Sequence, residues 1–143
     1  MKIFQISTLE EFFKLELDSI FKSSLDEETK FYLVTLLSRF GHSRNFFGMK
    51  DGKLENISTV DLLLEASDLK KPEERKLAYQ QVGDICLYSS SFLLKESSYH
   101  QFIGKFAYST AVSLAKKTEK EILRNLSSNF EHISKSISRI QFD

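Results

Sequence analysis

Val82-Gly83-Asp84-Ile85-Cys86-Leu87-Tyr88-Ser89-Ser90-Ser91-Phe92 is apolar on almost every side of a helical wheel. A helix of that kind is normally the buried centre of a bundle. It nonetheless carries Gly83 and Asp84, two poor formers of helix interiors. At about 100° per residue, Ala78, Val82, Ile85, Cys86, Ser89, Phe92 and Leu93 share one face. Gly83, Leu87, Ser90 and Leu94 share another, and Leu77, Asp84, Tyr88 and Ser91 a third. Neighbours on three sides make this segment a hub. Gly83 then marks a close crossing, where a Cβ would push another helix away. Asp84 needs a partner, because an unpaired buried carboxylate costs several kcal/mol or takes up a proton. It either caps or pairs within the bundle, with Arg39 and Arg44 as candidate cations, or lines a polar pocket.

Outward from the hub, Pro72 stands at a favoured first-turn position, with acidic Glu73 and Glu74 behind it. The central helix is expected over about 72–94. Before it, Ser7-Thr8-Leu9-Glu10 reads as a capping box. It opens a helix whose Leu9, Phe12, Phe13, Leu17, Ile20 and Phe21 share a face. Asp26 can cap a second helix, with Leu33, Leu36, Leu37, Phe40 and Phe47 on one side and a weak point at Gly41. Gly48-Met49-Lys50-Asp51-Gly52-Lys53 carries an Asp-Gly hairpin signal. Its flanks do not alternate, so an inter-helix loop is preferred. Ser58-Thr59-Val60-Asp61 starts a short helix through Ala66. Ile3-Phe4-Gln5-Ile6 is the one strand candidate, too short to build a sheet alone.

After the hub, Ser97 or Ser98 caps a helix with two characters. Tyr99, Phe102, Ile103, Phe106, Thr110 and Leu114 form its large-residue face. Beside it runs a small-residue stripe, Gly104, Ala107, Ala111 and Ala115, along which another helix can approach closely. Thr118-Glu119-Lys120-Glu121 reads as a second capping box opening one last helix. Ile122, Leu126, Phe130, Ile133, Ile137 and Ile140 line that helix in the cleanest stripe of the chain. The stripe either packs on its own bundle or meets a second copy across a two-fold axis. The expected fold is an all-α, single-domain bundle of five to six helices over 1–143, with Gly83 and Gly104 as structural positions.

The pattern Val82-Gly83-Asp84, Leu87-Tyr88, Ser90-Ser91-Phe92-Leu93, followed by Tyr99, Gly104 and Ala107-Tyr108, resembles a family of helical bacterial proteins. In that family the central motif reads Leu-Gly-Asp, Leu-Phe and Ser-Gly-Phe-Phe. Ser91 stands where the family has glycine and Leu93 where it has phenylalanine. The resemblance spans about residues 82–108. It implies a bacterial origin and a helical fold, and no particular activity.

Charge and chemistry narrow the function. Lys+Arg and Asp+Glu both number 20 across 143 residues, so no net charge draws the chain to nucleic acid or an anionic membrane. The first 28 residues do lean acidic, with seven Asp/Glu against Lys2, Lys14 and Lys22. Cys86 is the single cysteine and cannot form an internal disulfide. With no signal peptide and no apolar run near the ~18 residues of a membrane span, a cytoplasmic protein is expected. No catalytic residues, cofactor or metal are assigned. Glu96 and His100 are four apart, but paired Glu-x-x-His motifs for a di-iron bundle are missing. Ser89-Ser90-Ser91 in mid-helix is expected to bond back to carbonyls one turn earlier.

Two functions remain. The first is a non-enzymatic interaction protein, an adaptor or regulatory subunit, with a protein partner or a second copy meeting Ile122, Leu126, Phe130, Ile133, Ile137 and Ile140. The second is a small-molecule binder with a polar pocket formed by Asp84, Tyr88, Tyr99 and Tyr108. An enzyme ranks third, without a residue set to carry it.

Overall fold

A computed structural model describes residues 6–42, 49–50, 53–54, 59–93 and 97–140. The chain is an all-α bundle, with seven α-helices among the described residues. They are α1 (Ile6–Phe21), α2 (Glu27–His42), α3 (Thr59–Asp68), α4 (Pro72–Tyr88), α5 (Ser98–Leu114), α6 (Lys117–Ser128) and α7 (Phe130–Ile137).

α1 buries Phe13, Leu17 and Phe21 at four-residue spacing. It already runs at Ile6, so Ser7 lies inside the helix rather than at its cap. Ile6 is likewise helical, and the rest of the strand candidate at 3–5 lies outside the described residues. α1 is closed by Lys22, the residue after its last turn, which has φ 49° and donates its N–H to the Asp18 carbonyl at 2.9 Å. The buried Lys30 ammonium then binds the Lys22 carbonyl at 2.9 Å, satisfying an acceptor that the helix end leaves open. α2 follows directly, with Glu27 and Glu28 in its first turn. Leu33, Leu36, Leu37 and Phe40 point into the core. Arg44 and Phe47 lie outside the described residues.

The Asp-Gly segment is a hairpin and not a plain loop. β1 (Met49–Lys50) pairs antiparallel with β2 (Lys53–Leu54), with Met49 opposite Leu54 and Lys50 opposite Lys53. Two residues per strand make the pairing, so flanks that do not alternate leave it possible.

α4 is the hub. α5 and α3 pack against it, and α2 and α7 also reach it. Lys71 is its N-cap residue and Pro72 its first helical residue. Its α-helical part ends at Tyr88, and Ser89–Leu93 form a π-helical turn. Ser90 and Ser91 both donate to the Leu87 carbonyl, at 3.3 and 2.7 Å. Hydroxyls that compete for ladder carbonyls loosen the α-helical pattern there.

The expectations about the last helix are corrected. The stripe from Ile122 to Ile137 is divided between two helices, because Asn129 (φ −112°, ψ 20°) breaks the run between α6 and α7, and Ile140 follows the end of α7. The α6 cap is Lys116, not Thr118, and no side chain bonds there. The stripe itself is internal: Leu126, Phe130, Ile133, Ile137 and Ile140 are buried in this chain, and Ile122 is partly buried against the same core.

α5 is capped by Ser97, one of the two serines expected there, whose hydroxyl accepts the His100 N–H at 3.3 Å. Its small stripe, Gly104, Ala107, Ala111 and Ala115, is the face turned inward. Most of the large-residue face looks out, with Tyr99, Phe102 and Phe106 exposed and Ile103 buried. The reason is distance. A Cβ built on Gly104 would stand 2.5 Å from Phe130 Cζ and 2.8 Å from Cys86 Cβ, so only small residues let α5 lie this close.

Candidate functional site

Lys76, Gln80 and Asp84 recur every four residues and form a polar row along one side of α4. On α2, Tyr32 and Arg39 are seven apart and share a side. Where the two helices meet, Tyr32 Oη donates to Asp84 Oδ1 at 2.7 Å. An Arg39 terminal nitrogen donates to Asp84 Oδ2 at 3.0 Å. From the other side, Tyr108 Oη on α5 donates to Asp84 Oδ1 at 2.6 Å. Gln80 Nε2 donates to Tyr32 Oη at 2.9 Å. The Lys76 ammonium meets Gln80 Oε1 at 3.3 Å and Glu119 Oε2 at 2.9 Å.

Gly83 makes the Tyr108 bond possible. A Cβ there would stand 2.5 Å from Tyr108 Cε1 and 2.6 Å from Cδ1. The bare Cα therefore seats the phenol ring, and the next residue receives its hydroxyl.

Burial pushes the Asp84 carboxyl above its ordinary range, and the bonds from Tyr108 and Tyr32 and the Arg39 charge pull the other way. Burial also holds both phenols well above the ordinary tyrosine value, reinforced by the Asp84 charge. They stay protonated donors at neutral pH. Each oxygen of the carboxylate thus has a donor from within the chain. Tyr32, Arg39, Gln80 and Asp84 also line a cleft of about 290 Å³, shared with Glu28, Phe31, Thr35, Leu36 and Ile122.

Of the residues expected together, only Asp84 and Tyr108 meet. Tyr88 stacks on Phe40, ring centroids 4.7 Å apart. Tyr99 lies at the surface, its hydroxyl accepting from Thr59 Oγ1 at 3.1 Å. Arg39 is the cation that holds Asp84. Tyr32 and Gln80 are additions, whose signals were the seven-residue offset from Arg39 and the four-residue offset from Asp84.

Burial drives the Cys86 thiol up to about 12, which leaves no thiolate for chemistry at neutral pH. His100 is partly buried, which lowers its basicity, and its Nδ1 is 2.9 Å from Ser97 Oγ. Ser90 Oγ meets Ser134 Oγ of α7 at 3.0 Å. Among the described residues no group of three or more His, Cys, Asp or Glu could hold a metal. No described helix is long and apolar enough to cross a membrane.

Comparison with models of protein families, with curated proteins and with solved structures found no match to this chain.

Proposed function

We propose that the chain is a non-enzymatic helical interaction protein that meets a protein partner through the outward face of α5. The observation behind this is the row Tyr99, Phe102 and Phe106, which are 48%, 70% and 50% exposed at helical spacing. Three aromatic side chains left open on one helix are an unsatisfied hydrophobic surface. Rigid aromatics are also the side chains that most often anchor an interface. α3 meets α5 at Thr59 and Tyr99 and adds exposed Val60 and Leu64. The Asp84 cluster fits a framework role, tying α2 and α5 to α4.

The test pairs cross-linking with substitution. A photoreactive residue at position 102, used in the source cell, should give a discrete adduct with one protein. The purified partner should then bind the parent chain. Phe102→Ser with Phe106→Ser should weaken that binding at least about tenfold (about 1.4 kcal/mol) with an unchanged thermal midpoint. Unchanged affinity of the doubly substituted chain would refute the α5 face.

A further inference from the structure

α1 and α2 leave between them a groove of about 510 Å³. Its floor is apolar, formed by buried Leu17 and Val34. Phe31 rises at one side and is 71% exposed. Leu15, one turn on from Glu11, is also exposed.

The rim carries four acids, Glu10, Glu11, Asp18 and Glu27, against two lysines, Lys14 and Lys30. Lys30 is buried and already committed, with Glu27 Oε2 at 2.8 Å, Asp18 Oδ1 at 3.1 Å and the Lys22 carbonyl at 2.9 Å. Lys14 stands 3.8 Å from Asp18 Oδ2. Glu10 and Glu11 form no ion pair among the described residues. The rim is therefore net negative although the chain as a whole is neutral.

We propose that this groove takes an amphipathic helix of a partner protein, with an apolar anchor on Phe31, Leu17 and Val34 and Lys or Arg facing Glu10 and Glu11. The floor demands an apolar side chain, since filling it removes Phe31 and its neighbours from water. The rim selects a basic flank, because unpaired carboxylates beside a low-dielectric floor attract cations and repel anions. Two helices with a trough between them offer the geometry of helix-in-groove recognition. The same rim disfavours an anionic membrane. This surface uses none of the α5 residues, so it stands apart from the α5 reading.

The probe is a dye-labelled synthetic helix of Leu and Lys, Leu at helical spacing, followed by fluorescence anisotropy. A Leu/Glu counterpart and a Leu/Lys peptide of shuffled order serve as controls. The Leu/Lys helix should bind best and weaken as salt rises. Glu10→Lys with Glu11→Lys should cost at least about tenfold and shift preference toward the Leu/Glu helix. Phe31→Ala should weaken binding without moving the thermal midpoint, while Phe102→Ser with Phe106→Ser should leave it untouched. The proposal falls if no peptide binds or if the shuffled peptide binds equally well. It also falls if the Glu10/Glu11 and Phe31 substitutions change nothing, or if binding is lost with Phe102 and Phe106 instead.

Discussion

Gly83 and Asp84 serve the two ends of one side chain. The first gives Tyr108 room for its ring, and the second takes its hydroxyl. Helix propensity alone says that Gly83→Ala should stabilise α4 by ~1 kcal/mol. Packing says the reverse. Overfilling a close-packed site costs ~1–3 kcal/mol, and a ring forced back gives up a bond to a charged group worth ~1.5–3 kcal/mol. Net destabilisation of roughly 2–4 kcal/mol is expected from these terms, read as a lower urea midpoint. A stabilised variant would mean that Tyr108 does not need the gap. The Gly-Asp pair could be read from the sequence as a close crossing beside a carboxylate in need of a partner. Which residues would answer it could not. Tyr32 is 52 positions away from Asp84, and nothing local in the chain brings them together.

At the scale of elements, the stripe on α6 and α7 shows where periodicity informs and where it misleads. The spacing from Ile122 through Ile140 continues in helical register across Asn129, so it gave no sign of the break. The sign was composition: Ser127-Ser128-Asn129 are residues that favour helix ends over interiors. The break lets Phe130 turn in against Gly104 of α5. Since Ile133 is fully buried within the chain, Ile133→Asp should unfold the monomer rather than merely separate two copies. The far-ultraviolet circular dichroism should lose its helical signal, and a folded variant would contradict this packing. α5 carries the opposite lesson. Size alone suggests that its Phe and Tyr side goes inside. Closeness to α4 reverses the choice, because only Gly and Ala fit at that separation.

For the whole molecule, the buried phenols set a response to alkali. An unfolded tyrosine titrates near 10, while Tyr32 and Tyr108 hold their protons well beyond that in the folded chain. The unfolded state therefore releases protons first. This contribution to stability is fully present below about pH 10 and is lost as pH rises toward the folded values. The slope is ~1.4 kcal/mol per pH unit for each phenol. Thermal midpoints taken from pH 9 upward should fall, and Tyr32→Phe should make the fall shallower. Equal slopes for parent and variant would mean that the Tyr32 phenol titrates alike in both states. Asp84 shares the sign at the acid end. Its carboxyl is raised in the folded chain, so its contribution is present below the ordinary carboxylate value and is lost as pH rises through the folded one. Acid therefore does not attack the bundle through this group.

The carboxylate draws its donors from α2 on one side and α5 on the other. Neither helix can move away from α4 without taking hydrogen-bond donors from the Asp84 carboxylate. Segments separated by dozens of residues are thereby bound to a common fate. The joint works like an arch rather than a stack, and α2, α4 and α5 are expected to open together, with amides on all three exchanging at one common rate.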